Sequence, residues 1–510
     1  MEPQQLDFSG QFSKALEAME DGDKHIFLTG NAGTGKSTLL NHFRKTTKKN
    51  IAVLAPTGVA AVNVKGQTIH SFFKFRPDIT PDTVRRIRRG SGQTESIYRK
   101  LDAIIIDEVS MVRADLMDCI DKFLRLNAKN RFRPFGGIRM IFVGDLYQLP
   151  PVVTRNEEEV FKARYKSPYF FSSHILQEIS LEHIELDKIY RQSNTDFVSL
   201  LNNIRNDTVT SDQLEVLNKR VLPIPEDSGD DAFYVHLTTT NRAAKQVNDH
   251  HLDKLMTPEH TFEGNRRGKF EQSYLPVADS LRVKTGAQVM LANNDPEGRW
   301  INGTMGKVQR IIQHGNDDVV VVKLESGKTV DVMRHKWDIF KFVLEDENVT
   351  SESVGSYSQY PLILAWAITI HKSQGKTFEQ AVIDFSTGTF SAGQAYVALS
   401  RCTSLEGITL KRPLVREDIW IEPSILAFTS QMKTQEISKQ LHDLMHQGKD
   451  IEIDYIKADD STCTLILKPK SIEMLKHNDT PYQGLRAFSE HLNAEKVFRL
   501  DKITSWKEAV

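Results

Sequence analysis

Residues 30–38 read GNAGTGKST, and this run constrains the fold more than any other part of the chain. It follows a short β-prone stretch, HIFLT at residues 25–29, and leads into a helix-forming stretch that begins at Lys36. Glycines lacking a Cβ let successive backbone N–H groups curl around a phosphate, and a helix N-terminus adds positive potential at the same place. In that setting Lys36 reaches the terminal phosphates and Ser37 ligates Mg2+. A chance glycine-rich turn would lack the flanking strand and helix, and here both are predicted.

Further apolar runs, IAVLA at 51–55, AIII at 103–106 and MIFV at 140–143, are bounded by Gly, Pro or Asp. Separated by helical stretches over 36–44 and 113–126, they predict a parallel sheet covered on both faces. The basic residues Arg85, Arg86, Arg88 and Arg89, followed by Gly-Ser-Gly, read as an insertion on the rim or as a solvated helix face. A second α/β block begins near Tyr234 with YVHLTTTN, resumes over 361–370 and continues at 381–385. It is interrupted between about 300 and 357 by short β segments with Asn-Asp and Ser-Gly turn signals, which predict a small inserted barrel. Beyond residue 428, Ile437, Leu441, Leu444 and Met445 fall at helical spacing. Ile451, Ile453 and Tyr455 then alternate as in a strand, Leu465 and Leu467 mark another, and FRLDKI at 498–503 a third.

A chain of 510 residues has room for several domains. Its longest apolar stretch, 361–370, is far short of the ~20 residues of a membrane helix. The polar N-terminus resembles no signal or transit peptide, so a bacterial cytoplasmic location and no membrane partner are expected. Three scattered cysteines, Cys119, Cys402 and Cys463, read as reduced thiols without a zinc or disulfide framework. With 66 Lys+Arg against 67 Asp+Glu the chain is no uniformly basic nucleic-acid binder. The acidic run EDSGDD at 226–231 reads as a solvated loop.

The strand at 103–106 ends in two adjacent carboxylates. Neighbouring side chains at a strand end point differently, so Asp107 suits the Mg2+ shell and Glu108 suits orienting and deprotonating a water. A third strand leads into GDLYQLPP, where Gln148 either senses a γ-phosphate or serves as a turn residue. Phosphoryl transfer also calls for an arginine finger, for which Arg191 in IYRQ and Arg401 in YVALSR are candidates, although an arginine taken at random is nearly always on the surface.

In order, GNAGTGKST, APTGVAA (55–61), GQTIHSFF (66–73), IIIDEVSMV, PFGGIRMIFVGDLYQLPPV, YRQ, TIHKSQGKT (369–377) and GQAYVALSR (393–401) resemble the motifs of the Pif-family 5′-to-3′ DNA helicases of superfamily one. The resemblance spans roughly residues 5–415. It implies an α/β fold with two RecA-like P-loop domains: a first over 1–180 with a small insertion near 65–95, and a second over 181–298 and 358–427. An SH3-like insertion would occupy 299–357. ATP and Mg2+ would bind in the cleft on Gly30, Gly33, Thr34, Gly35, Lys36, Ser37 and Thr38. Gln148 would sense the γ-phosphate, Arg191 and Arg401 would be fingers, Gln11 would read adenine, and Gly375 would lie at the nucleotide within a segment that also touches DNA.

On single-stranded DNA, or a forked or tailed duplex, the resemblance implies contacts from Pro56, Thr57, Gly58, His70, Phe72, Thr369, His371 and Lys372. Phe73 is an adjacent candidate, and one of the two rings is expected in the core. Stacking on bases tolerates any sequence, as a motor on arbitrary strands requires. The last block, IEIDY, LILKP, YQGLRAF and VFRLDKI, resembles a WYL domain over 449–510, after a linker helix over 428–448; the naming Trp-Tyr-Leu triplet is absent, and Tyr482 with Leu485 is the nearest match. A regulatory ligand or nucleic acid would be its partner, with Arg486 and Arg499 either contacts or structural ion pairs. The expected protein is a monomeric ATP-dependent helicase. Its competitors are a DNA translocase or clamp that separates no strands and a RecD-like subunit of a helicase-nuclease complex.

Overall fold

A computed structural model describes residues 10–87, 97–148, 150–153, 157–192, 194–223, 233–314, 317–345, 348–386, 388–457, 461–477 and 480–509. Arg88, Arg89, the Gly-Ser-Gly at 90–92, Leu149 and the acidic run at 226–231 lie outside the described residues. The chain divides into two compact units, Met1–Ile421 and Glu422–Val510.

In the first unit, strands β1 (His25–Gly30), β2 (Ile51–Ala55), β3 (Gln67–Thr68), β4 (Ala103–Ile106), β5 (Arg139–Val143) and β6 (Leu181–Leu186) form one sheet in the order β3-β2-β4-β5-β1-β6. Every pairing is parallel. β4 and β5 are buried at every position, which is why they read as unbroken apolar runs. On one face Ile26, Leu28, Val53, Ile105 and Ile141 pack with Phe12 and Met19 of the helix Gln11–Asp21 and with Leu39 and Phe43 of the helix Lys36–Thr46.

His25 opens β1 and accepts the Met140 N–H on Nδ1 at 3.0 Å, which requires an unprotonated nitrogen. Burial, then Arg139, lowers its pKa to about 4, and burial lowers that of His236 to about 4. The unfolded chain therefore takes up these protons first, so this stability is present above about 6.5 and is lost as pH falls toward 4. In urea unfolding followed across that window, His25→Asn, whose Oδ1 can still accept from Met140, is expected to lose a slope of at most about 1.4 kcal/mol per pH unit. A variant with the wild-type slope would show that His25 carries no such linkage.

A second parallel sheet runs Ala367–Thr369, Val235–Thr238, Ala381–Asp384, Ile408–Leu410. The apolar stretch at 361–370, over which the sequence resumes this block, is divided. Leu362–Leu364 pairs antiparallel with Gln288–Leu291, and only Ala367–Thr369 joins the parallel sheet. The Gln288 side chain fixes the break by donating to the Tyr234 and Ala365 carbonyls at 2.7 and 2.8 Å.

The antiparallel strands extend on both sides of 299–357. Five of them run Thr329–Val332, Asp317–Leu324, Met305–His314, Gln288–Leu291, Leu362–Leu364; three run His335–Glu345, Asn348–Gln359, Asn265–Gly268; and Ser280–Lys284 pairs with Glu259–Glu263. Val283, Val289, Val308, Val320, Val322 and Trp300 share one core.

The second unit opens with the helix Pro423–His446 and continues as an antiparallel sheet in the order Ala494–Arg499, Thr480–Ser489, Thr462–His477, Ile451–Ile456, Ile503–Glu508. Ile451, Ile453, Leu465 and Leu467 alternate inward, and Ile437, Leu441, Leu444 and Met445 of the helix pack against them. Arg486 donates both arms to Glu473 at 3.0 Å, and Arg499 pairs with Asp501 at 2.6 Å, so both arginines are engaged in ion pairs. Among the described residues no helix is long and apolar enough to cross a membrane. The three cysteines are free thiols, Cys119 and Cys402 buried and Cys463 half-buried.

Candidate nucleotide site and nucleic-acid face

β1 ends at Gly30, and the helix Lys36–Thr46 begins after Gly35. Gly33 and Gly35 have φ of +86° and +84°, a conformation that an L side chain resists. The buried Thr34 hydroxyl donates to the Asn31 carbonyl at 2.9 Å, while Ser37 and Thr38 are exposed on the first helical turn. Lys36 Nζ donates to the carbonyls of Gly30 and Asn31 at 2.7 and 3.0 Å. Burial lowers its pKa, opposed by Asp145, Glu108 and Asp107. Gln11 opens its helix and accepts the Asp187 N–H at 3.1 Å, just past the end of β6.

Asp107 and Glu108 follow β4. The Asp107 N–H is bound by the Leu54 carbonyl, and its Oδ1 accepts the Glu108 N–H at 3.0 Å. Glu108 has φ +50°, a left-handed conformation that costs a non-glycine residue about 1–3 kcal/mol. Burial raises the pKa of Asp107, and burial with the Asp107 charge pushes Glu108 up to about 7. Two adjacent carboxylates, Asp107 buried and Glu108 half-buried, each with a raised pKa, favour a cation. Asp107 with the exposed Ser37 hydroxyl fits the small protein share of an Mg2+ shell completed by phosphate oxygens.

β5 leads to Asp145 and Gln148, both buried. Gln148 Nε2 donates to Asp145 Oδ2 at 3.2 Å, and Gln148 Oε1 accepts from Gln374 Nε2 at 3.3 Å. The second parallel block closes on this corner. Tyr396 OH accepts the Ala32 N–H at 3.3 Å, and Arg191 Nη1 donates to the Ser400 carbonyl at 3.3 Å. A Cβ built on Gly33 would lie 2.6 Å from Arg191 Cβ. Arg401 is 1% exposed, with Nε on the Val397 carbonyl at 2.8 Å and Nη2 on Ser400 Oγ at 2.8 Å. Burial, then Arg191, lowers its pKa to about 9. Lys36, Asp107, Glu108, Gln148, Arg191 and Arg401 are thus brought to one corner of the first unit.

The expected nucleic-acid contacts divide. Thr57 is exposed, and its hydroxyl caps the helix Gly58–Asn63 by accepting the Ala60 N–H at 3.3 Å; Pro56 is half-buried beside it and Gly58 is buried. His70 is half-buried, and burial lowers its pKa. Phe72 requires correction: it is 5% exposed, with ring centroids 4.9 Å from Phe73, 5.3 Å from Tyr98 and 5.9 Å from Phe342. Both Phe72 and Phe73 are core, and neither offers a face to a base. Thr369 is also buried, its hydroxyl accepting the Lys372 N–H at 3.2 Å, so its side chain serves the turn and meets no strand. His371 and Lys372 are exposed on the turn His371–Ser373, Gly375 is exposed with φ +74°, and Lys376 Nζ donates to Asn302 Oδ1 at 2.7 Å.

Residues 9–215 match the family described as PIF1-like helicase. The ATP-dependent DNA helicase Pif1 of Bdellovibrio bacteriovorus is 32% identical over 440 residues, which is 84% of this chain and 93% of that protein. The chain belongs to the PIF1-like helicase family. Pif1 from Bacteroides sp in complex with ADP-AlF4 matches with a TM-score of 0.77 at 34% identity, covering 84% of this chain and 98% of that one. Bacteroides Pif1 bound to ssDNA matches with a TM-score of 0.61 at 34% identity, covering 85% and 98%.

In this PIF1-like helicase several residues that sequence reasoning passed over complete the corner. Asp145 and Gln374 stand inside recognised motifs, but nothing local marks them as partners of Gln148. Tyr396 lies five positions before Arg401, and its contact with Ala32 appears only in the folded chain. Arg205 ends the helix Thr195–Arg205 with no motif around it, yet it is buried against Asp145 and Tyr147. Phe390 is 60% exposed and lies nearly parallel to His371, with centroids 6.3 Å apart at 12°; its place beside the basic turn appears only in the folded chain.

Proposed function

We propose that this chain is an ATP-dependent DNA helicase that moves 5′ to 3′ along single-stranded DNA and separates tailed or forked duplex as a monomer. The observation that carries this reading is the Gln374–Gln148 hydrogen bond at 3.3 Å. It joins the exposed His371–Lys372 turn to the corner that holds Lys36, Asp107 and Glu108, so a change at the phosphates is mechanically linked to a change at a surface suited to DNA.

In this reading the two parallel sheets are RecA-like domains with ATP between them. The backbone of Gly30, Gly33, Thr34 and Gly35 and the first-turn Ser37 and Thr38 embrace the phosphates, Lys36 neutralises their charge, and Gln11 reads adenine near the end of β6. Ser37 and Asp107 would hold Mg2+, which supplies charge neutralisation on the phosphate oxygens. Glu108 takes the proton from the attacking water, Gln148 senses the γ-phosphate, and Arg191 and Arg401 stabilise the transferring group. Gly375, with its Cβ-free backbone, leaves room for the nucleotide beside Gln374. Domain closure and release over each hydrolysis cycle would then move the DNA contacts.

Pro56, Thr57, Gly58, His70, His371 and Lys372 form the DNA face, together with Phe390. Because stacking is worth about 1–3 kcal/mol per base, Phe390→Ala is expected to weaken single-stranded DNA binding by about 5- to 150-fold in fluorescence anisotropy, while leaving DNA-free ATPase unchanged. Affinity equal to wild type would remove Phe390 from the face. The antiparallel strands around 299–357 are read as an SH3-like insertion and the second unit as a WYL-like module for a regulatory ligand or nucleic acid. The deciding experiment is unwinding of duplexes with a 5′ or a 3′ tail: separation from the 5′ tail with ATP is expected. ATP turnover without separation of either substrate would leave a translocase or clamp.

A further inference from the structure

We propose that Arg205 is a positioning residue that sets the Gln148 amide through Asp145, an assignment that rests on the helicase reading above. Asp145 is fully buried. Its carboxylate accepts the Tyr147 N–H at 3.2 Å, Gln148 Nε2 at 3.2 Å and Arg205 Nη2 at 3.4 Å. The same Gln148 takes the Gln374 amide on its Oε1, so its Nε2 bond to Asp145 determines which way the amide faces.

Arg205 is held on several sides. It is 7% exposed, its guanidinium carbon lies 4.0 Å over the Tyr147 ring, and Nη1 is 3.8 Å from Glu185. A flat guanidinium can stack on Tyr147 and reach Asp145 at once, which an ammonium cannot do. Its Nε is buried with no hydrogen-bond partner in the structure, a cost that a merely structural arginine has little reason to retain.

Charge explains what the arginine achieves. Asp107, Glu108 and Asp145 all act on Lys36. Without Arg205, Asp145 becomes a buried carboxylate whose remaining hydrogen-bond donors are neutral, and such a group rearranges or draws in another cation. Either response turns the Gln148 amide. The defect should therefore appear in the rate of the chemical step rather than in nucleotide binding. Neutralising the carboxylate with Asp145→Asn should relieve it, because the amide oxygen of that variant still accepts from Gln148 and needs no cation.

The test compares ssDNA-stimulated ATP hydrolysis in the full chain for wild type, Arg205→Ala and the Arg205→Ala/Asp145→Asn double variant, with thermal unfolding to verify folding. Expected are a loss of at least about tenfold in kcat for Arg205→Ala, a KM within about threefold of wild type, and recovery of at least about fivefold in the double variant, the range that a misplaced catalytic group produces. A smaller loss, a loss confined to KM, or no recovery overturns the proposal. Should Arg205→Ala not fold, Arg205→Gln with and without Asp145→Asn gives the same comparison. A wild-type protein without ssDNA-stimulated ATPase would remove the helicase reading and this assignment with it, whereas an active wild type with an indifferent Arg205→Ala would remove only the assignment.

Discussion

Glu108→Gln is expected to slow ATP turnover about 10²- to 10⁴-fold while ATP and single-stranded DNA remain bound, because in the proposed mechanism it removes the general base and little else. Glutamine has nearly the same shape and can keep the left-handed backbone at φ +50°, so the loss should fall on kcat. Burial and the Asp107 charge hold the Glu108 carboxyl at about 7. A base must be ionised, so wild-type turnover should rise with pH through that region before levelling, and the residual activity of Glu108→Gln should lack the rise. Steady-state ATPase from pH 5.5 to 8.5, with filter binding of ATP to the variant, tests both points. A variant that turned over ATP within tenfold of wild type would assign the base elsewhere.

Lys36→Ala should be as damaging for a different reason. Lys36 stands at the end of the phosphate loop, and its ammonium is aimed inward by the carbonyls of Gly30 and Asn31. Removing one preorganised donor at a developing charge costs about 10²- to 10³-fold in rate, and a lost full charge belongs at the upper end. Unlike Glu108→Gln, it should also weaken nucleotide binding, since in the proposed mechanism the ammonium meets the phosphates before and during reaction. The pair is separated by equilibrium binding of a fluorescent ATP analogue: tight for Glu108→Gln, weak for Lys36→Ala. Equal affinities would mean that Lys36 does not face the phosphates.

The phosphate loop and the carboxylates after β4 are legible in the sequence because their chemistry is local. A strand, a turn and a helix start within a dozen residues, and the left-handed glycines announce the turn. The parallel strands are legible because burial at nearly every position leaves continuous apolar runs. Whatever depends on contacts between distant segments is hidden. Asp145 finds Arg205, Ala32 finds Tyr396 and Gln148 finds Gln374 only when the chain has folded. Phe72 reads as a base contact because a short aromatic-rich segment cannot reveal that Tyr98 and Phe342, far along the chain, cover it. The stretch at 361–370 is a continuous apolar run in the sequence, and the partners on either side of Ala365 send its halves to different sheets. The strands Glu259–Glu263 and Ser280–Lys284 are obscured because their alternation includes many charged residues on the outward side.

The approach of Gly33 to Arg191 bears on how genetic lesions in such a motor should be interpreted. Only a hydrogen atom fits between the loop and the arginine, so any side chain introduced at Gly33 presses on Arg191 as well as straining the loop. A loss of function at this glycine therefore cannot be attributed to phosphate binding alone. One substitution there is equivalent to two simultaneous injuries, one to the loop and one to the arginine, and a suppressor could arise near either.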